Sequence, residues 1–150
     1  MKIELITTPE FEKEFKRLRK KYVSLKSDLQ VFEKDINENP KIGDHLGEEV
    51  YKVRIAIKSK NKGKSAGGRI ITFAFYITIS ERKILLVTLY DKGEKDSISD
   101  AEIKRIIKDW LLLNPGITTN DPESKLFSYE DGKKEFERIK NNLKNPKGHL

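Results

Sequence analysis

Apolar residues recur along this chain at two different periods, and the changes of period mark out its elements. Lys2 to Ile6 is a short β candidate that stops at Thr7-Thr8-Pro9. Thr8 is placed to cap a helix with Pro9 at its first position, where the missing N–H leaves no bond unmade. Phe11, Phe15, Leu18 and Tyr22 follow at spacings of four, three and four, one apolar stripe along a helix. Leu25, Leu29, Phe32 and Ile36 repeat the pattern after Ser24, and Asn39-Pro40 ends it. So short a break between two stripes predicts a helical hairpin resting on a common sheet. Lys41 to Glu49 reads as a turn-rich connection.

Period two then takes over. From Val50 to Lys58, Tyr51, Val53, Ile55 and Ile57 alternate with Lys52, Arg54, Ala56 and Lys58. From Arg69 to Ile79, Ile71, Phe73, Phe75, Ile77 and Ile79 share one face. Ile70, Thr72, Ala74, Tyr76 and Thr78 make the other, smaller and more polar. Ser80 to Lys83 reads as a hairpin connection, and Ile84 to Tyr90 as a third strand. The three predict an antiparallel meander with one face on the helical hairpin and the other open. After a charged loop, Asp91 to Ile98, the capping box Ser99-Asp100-Ala101-Glu102 starts a third helix with the stripe Ile103, Ile106, Ile107 and Trp110. The expected class is α+β, in the order β-α-α-β-β-β-α. Beyond Leu113 the character shifts to Pro, Gly, Asn and Ser, a linker leading to a short helix candidate at Asp131 to Leu143. We therefore divide the chain into a domain at 1–113 and a C-terminal extension at 114–150.

Charge changes this picture at one place. The chain has 150 residues and a net charge of +7, and the stretch Lys52 to Arg69 alone holds seven basic residues and no acidic one. Its cations are Lys52, Arg54, Lys58, Lys60, Lys62, Lys64 and Arg69, set at a strand end and on the glycine-bearing loop beyond it. Together with a pI near 9.4, such a patch points to a polyanion as partner. By strict alternation, however, Arg69 shares the parity of Ile71 and Phe73. A bulge at Gly67-Gly68 would be needed to turn it outward.

Several chemistries have nothing to work with. Cysteine is absent, which removes disulfides, thiolate metal sites and cysteine nucleophiles. Gly63-Lys64-Ser65 ends like a phosphate-binding loop, but the glycine required five residues earlier is Lys58. The two histidines, His45 and His149, lie in a turn region and beside the C-terminus, as surface residues do. No carboxylate spacing suggests a metal site. The N-terminal residues lack an apolar signal core and no apolar run reaches membrane-spanning length, so a cytoplasmic protein away from membranes is expected.

The segments VYKVRIAIKSKNKGKSAGGRIITFAF and ILLVTLYDKGEKDSISDAEIKRIIKDW resemble the RelE/ParE toxin superfamily of type II toxin–antitoxin systems, its HigB-like branch in particular. The similarity covers about Met1 to Leu113. It implies a RelE-like fold and a ribosome-dependent mRNA endonuclease held inactive by a cognate antitoxin. In such enzymes the ribose 2′-OH attacks the adjacent phosphate, with no metal or other cofactor. Carried over position by position, Arg54 and Arg69 match phosphate-stabilising residues, and Tyr90 and Lys92 match the functional segment ending the last strand. Lys58, Lys60 and Lys64 become candidates for RNA contact or for a lysine acid/base, and Lys62 on the same loop for RNA contact. A C-terminal catalytic histidine found in some relatives has no counterpart here. The same fold also serves ParE-like inhibitors of DNA gyrase, and an inactive RNA-binding relative is a third expectation.

Overall fold

The computed structural model describes residues 2–61, 63, 66–76 and 81–114. Ser80 of the predicted hairpin connection, residues 77–79 of the strand before it, the loop residues Lys62, Lys64 and Ser65, and the extension from residue 115 onward lie outside the described residues. The rest of that connection, Glu81 to Lys83, is not a turn but already extended strand, with Arg82 and Lys83 paired to a neighbouring strand on each side. The elements are β1 (Lys2–Thr7), α1 (Pro9–Lys21), α2 (Leu25–Glu38), β2 (Asp44–Gly47), β3 (Val50–Ile55), β4 (Gly68–Tyr76), β5 (Glu81–Asp91) and α3 (Asp100–Leu113). A single 3₁₀ turn, Lys58–Lys60, follows β3.

Both predicted helix starts hold. The Thr8 hydroxyl accepts from the Phe11 N–H at 2.9 Å and donates to the Val87 carbonyl at 2.7 Å, so one side chain caps α1 and ties it to β5. The Ser99 hydroxyl accepts from the Glu102 N–H at 3.1 Å. Glu10 and Glu12 in the first turn of α1, and Arg19, Lys20 and Lys21 in its last, also suit the helix dipole.

The sheet runs β1-β5-β4-β3-β2. Strands β2 to β5 pair antiparallel, whereas β1 pairs parallel with β5. The sheet is thus mixed and five-stranded rather than an antiparallel sheet with a three-stranded meander. The fourth meander strand, β2, lies inside the stretch read as a turn-rich connection. Asp-His-Leu-Gly shows no alternation, and positive φ at Gly43, Gly47 and Glu48 brackets it with turns, so no periodic signal marked it. Its place at the edge comes from pairing with β3.

The larger correction concerns the faces. Phe11, Leu18, Leu25, Phe32 and Ile36 of the helical hairpin pack on Val53, Ile55, Ile70, Ala74, Ile84, Leu86 and Leu89. The opposite face is not open. Ile103, Ile106, Ile107 and Trp110 of α3 cover it, against Val50, Ile71, Phe73, Leu85 and Val87. Each large apolar side chain so buried contributes about 1.5–3 kcal/mol, enough for either layer to hold. The hairpin therefore takes the Ile70/Ala74 parity, and Ile71 and Phe73 belong to α3. A bulge does exist, but on β5: Ile71 pairs with Thr88 and Thr72 with Leu86, leaving Val87 as the extra residue.

Gly67 has a different role from the one expected. A Cβ there would lie 2.2 Å from the Ile55 carbonyl oxygen and 3.0 Å from the Ile57 nitrogen. Its hydrogen is what lets the incoming loop pass against β3. Gly67→Ala should push these backbones apart and cost about 1–3 kcal/mol, read as a lower melting temperature. An unchanged melt would contradict the close approach.

Candidate active site

Three of the predicted residues form a row across the sheet. Arg54 on β3 is the register partner of Arg69 on β4, and Arg69 is the partner of Tyr90 on β5. Strand alternation fixes their common face, the one α3 covers farther along. No outward turn of Arg69 is needed, because that parity never belonged to the helical hairpin. Burial grades along the row: Tyr90 is 5% exposed and packs in the α3 cluster, Arg69 is 6% exposed, and Arg54 is exposed. Arg69 Nη1 donates to the Gly68 carbonyl at 3.0 Å, which aims the guanidinium along the strand end. Like charges directly opposite in a sheet repel, and an anion seated between Arg54 and Arg69 would relieve that repulsion.

The Tyr90 hydroxyl is buried and makes no hydrogen bond among the described residues. Burial pushes its pKa up and the Arg69 charge opposes the rise, with burial prevailing. The phenol therefore keeps its proton at neutral pH and can act as a donor. Lys52, half-buried on β3, precedes Arg54 on the same face. The same alternation that picked out Arg54 could have added it to the candidate residues.

The lysines separate into different roles. Lys58 opens the 3₁₀ turn, its N–H donating to the Asp28 carboxylate at 3.2 Å, and its side chain is exposed. Lys60 was expected as a loop cation reaching outward, but its side chain is only 10% exposed. Its ammonium donates to Asp91 Oδ1 at 2.7 Å and to the Ala66 carbonyl at 2.6 Å. Lys92 joins the strand end through its N–H to the Gly67 carbonyl at 3.0 Å. Its ammonium turns back to the Asp96 carbonyl at 2.7 Å, away from the row's pairing. Lys62 and Lys64 lie outside the described residues.

Asp91 is the residue that reading the sequence missed. Its side chain is 1% exposed and accepts from Lys60, from the Tyr22 hydroxyl at 2.5 Å and from the Gly93 N–H at 2.9 Å. Burial alone would raise its pKa; the bonds from Lys60, Tyr22 and Gly93 outweigh that and hold it at about 2. Three separate stretches, α1, the 3₁₀ turn and the end of β5, are thereby pinned beside Tyr90. Glu94 adds a second tie, accepting both Arg17 Nη atoms at 3.1 and 2.8 Å. No spacing signal could have found Asp91, since its partners sit 31 and 69 residues away.

Among the described residues no helix is long and apolar enough to cross a membrane. A family model described as the RelE toxin of the RelE / RelB toxin–antitoxin system matches residues 11–110. That span is well over half of the chain and runs from Phe11 on α1 to Trp110 on α3, taking in all three strands of the cationic row. A match of that extent, on this β-α-α-β-β-β-β-α order, settles the family: the chain belongs to the RelE toxins, the toxin half of a toxin–antitoxin pair with a cognate antitoxin as partner.

Proposed function

We propose that this toxin is an mRNA endonuclease working in the ribosomal A site. The row of Arg54, Arg69 and Tyr90 on adjacent strands carries the reading, because it gathers two guanidiniums and a protonated phenol within one register line. Guanidiniums bind phosphate oxygens in a two-pronged fashion and do not lose their charge. Held there, they stabilise the extra negative charge that develops as the 2′-OH attacks the adjacent phosphorus. The P–O bond to the 5′ oxygen then breaks, leaving a cyclic phosphate and a 5′-OH. Tyr90 is the donor for that leaving oxygen, and the base must come from outside the row. Ribosomes and mRNA join the antitoxin as partners, and the cytoplasm is the place of action.

Cleavage of mRNA by the purified toxin, with and without ribosomes, tests this directly. Cleavage that appears with ribosomes supports the reading. Inhibition of gyrase supercoiling without cleavage would replace it with the gyrase reading, and activity in neither assay would leave an RNA-binding relative.

The flanking lysines should matter for binding rather than chemistry. Neutralising Lys58, Lys62 and Lys64 together should flatten the salt dependence of ribosome binding by about 0.7–0.9 log units per lost phosphate contact. Lys60 is left intact because it holds Asp91. An unchanged slope would make these three ordinary solvated side chains.

A further inference from the structure

The end of α3 leaves apolar surface uncovered. Leu112 and Leu113 are 70% and 73% exposed, although Trp110, one turn earlier, is buried. Beside them lies a groove of about 240 Å³ between α3 and the start of α1, with Pro9, Ile106, Trp110 and Leu113 as its apolar lining and Glu10 and Asp109 among its polar residues.

We propose that this groove is the docking site of the chain's own residues 131–143. Two observations select that occupant. The chain leaves α3 at the groove itself, since Leu113 both lines it and ends the helix. Residues 114–130 can span up to about 56 Å when extended, far more than the groove requires, and a tethered segment meets its site at an effective concentration of about a millimolar. The second observation is pattern. Phe136, Ile139 and Leu143 fall at spacings of three and four, so they share one helical face, yet they are too few to form a core of their own. A second copy of the chain or the antitoxin would lack the tether.

A double-mutant cycle in the full-length chain tests the contact. Leu113→Gln and Ile139→Gln should each lower the melting temperature by about 2–4 °C. Residues in contact couple, so the double variant should fall no further than the more affected single. Amide exchange across residues 131–143 should be protected in the wild type and fast in Leu113→Gln. An Ile139→Gln chain that melts like wild type, or shifts that simply add, would overturn the proposal. A melting temperature that drops on dilution in the wild type but not in the variants would assign the groove to a second copy instead.

Discussion

Replacing Arg69 by alanine is expected to lower mRNA cleavage on ribosomes by about 10²–10³-fold, the effect of removing one donor from a site that stabilises developing charge. Arg69 is the middle of the row, with Arg54 on one side and Tyr90 on the other. It can reach a phosphate only as Arg54 does, from the α3 face at the strand end. Its burial raises the question of whether a loss of cleavage would be a loss of folding. Alanine removes the cross-strand repulsion with Arg54 but also a buried side chain and its bond to the Gly68 carbonyl, so a lower melting temperature is expected with it. Arg69→Gln preserves most of the side-chain volume and serves as the second variant: it should melt like wild type and still fail to cleave. Full cleavage by a folded Arg69→Gln protein would remove the residue from the mechanism. Arg54→Ala should act in the same direction, and Tyr90→Phe, which deletes only the unpaired hydroxyl, should slow cleavage without loosening the α3 layer.

The second large effect concerns stability. Asp91→Asn keeps the shape of the side chain but leaves the enclosed Lys60 ammonium without its counter-charge. Breaking a buried pair from one side costs about 3 kcal/mol, which corresponds to a melting temperature lower by about 10 °C for a domain of this size. The pH dependence gives an independent reading. The folded carboxyl sits at about 2, below its ordinary 3.8, so its contribution is complete above the unfolded value. That contribution is lost as pH falls from about 4 through 2, and amounts to about 2 kcal/mol. In wild type, melting temperature should therefore decline over that window more steeply than in Asp91→Asn. Equal slopes in the two proteins would show that Asp91 is not the titrating group. Because the same carboxylate joins Tyr22, Lys60 and Gly93 next to Tyr90, the variant should also lose part of its cleavage at temperatures where it is still folded.

Local chemistry along the chain was enough to place most elements. The Thr8-Pro9 and Ser99 starts were legible because capping needs only a hydroxyl and a neighbouring turn, both local. The helical stripes and the alternation in β3 to β5 were legible for the same reason, and Arg54, Arg69 and Tyr90 could be named from the stretches that carry the family resemblance. Periodicity states which residues share a face, and it is silent about which layer covers that face. Strand β4 is apolar on both sides, so Ile71 and Phe73 could be assigned to the hairpin or to α3 with equal local sense. Only the return of α3 over Val50, Leu85 and Val87 decided it, and with it the direction of Arg69. The same limit hid β2, whose four residues gain strand geometry from pairing with β3 rather than from any pattern of their own. It hid the fate of Lys60 most completely. A lysine in a glycine-bearing basic loop reads as a mobile cation, and only a carboxylate 31 residues later, itself shielded from water, turns it into a fixed strut. Backbone preference and hydrophobic period act over a few residues, so the sequence displays them. A buried ion pair exists only when the fold brings its two halves out of water together, and that was settled by tertiary structure alone.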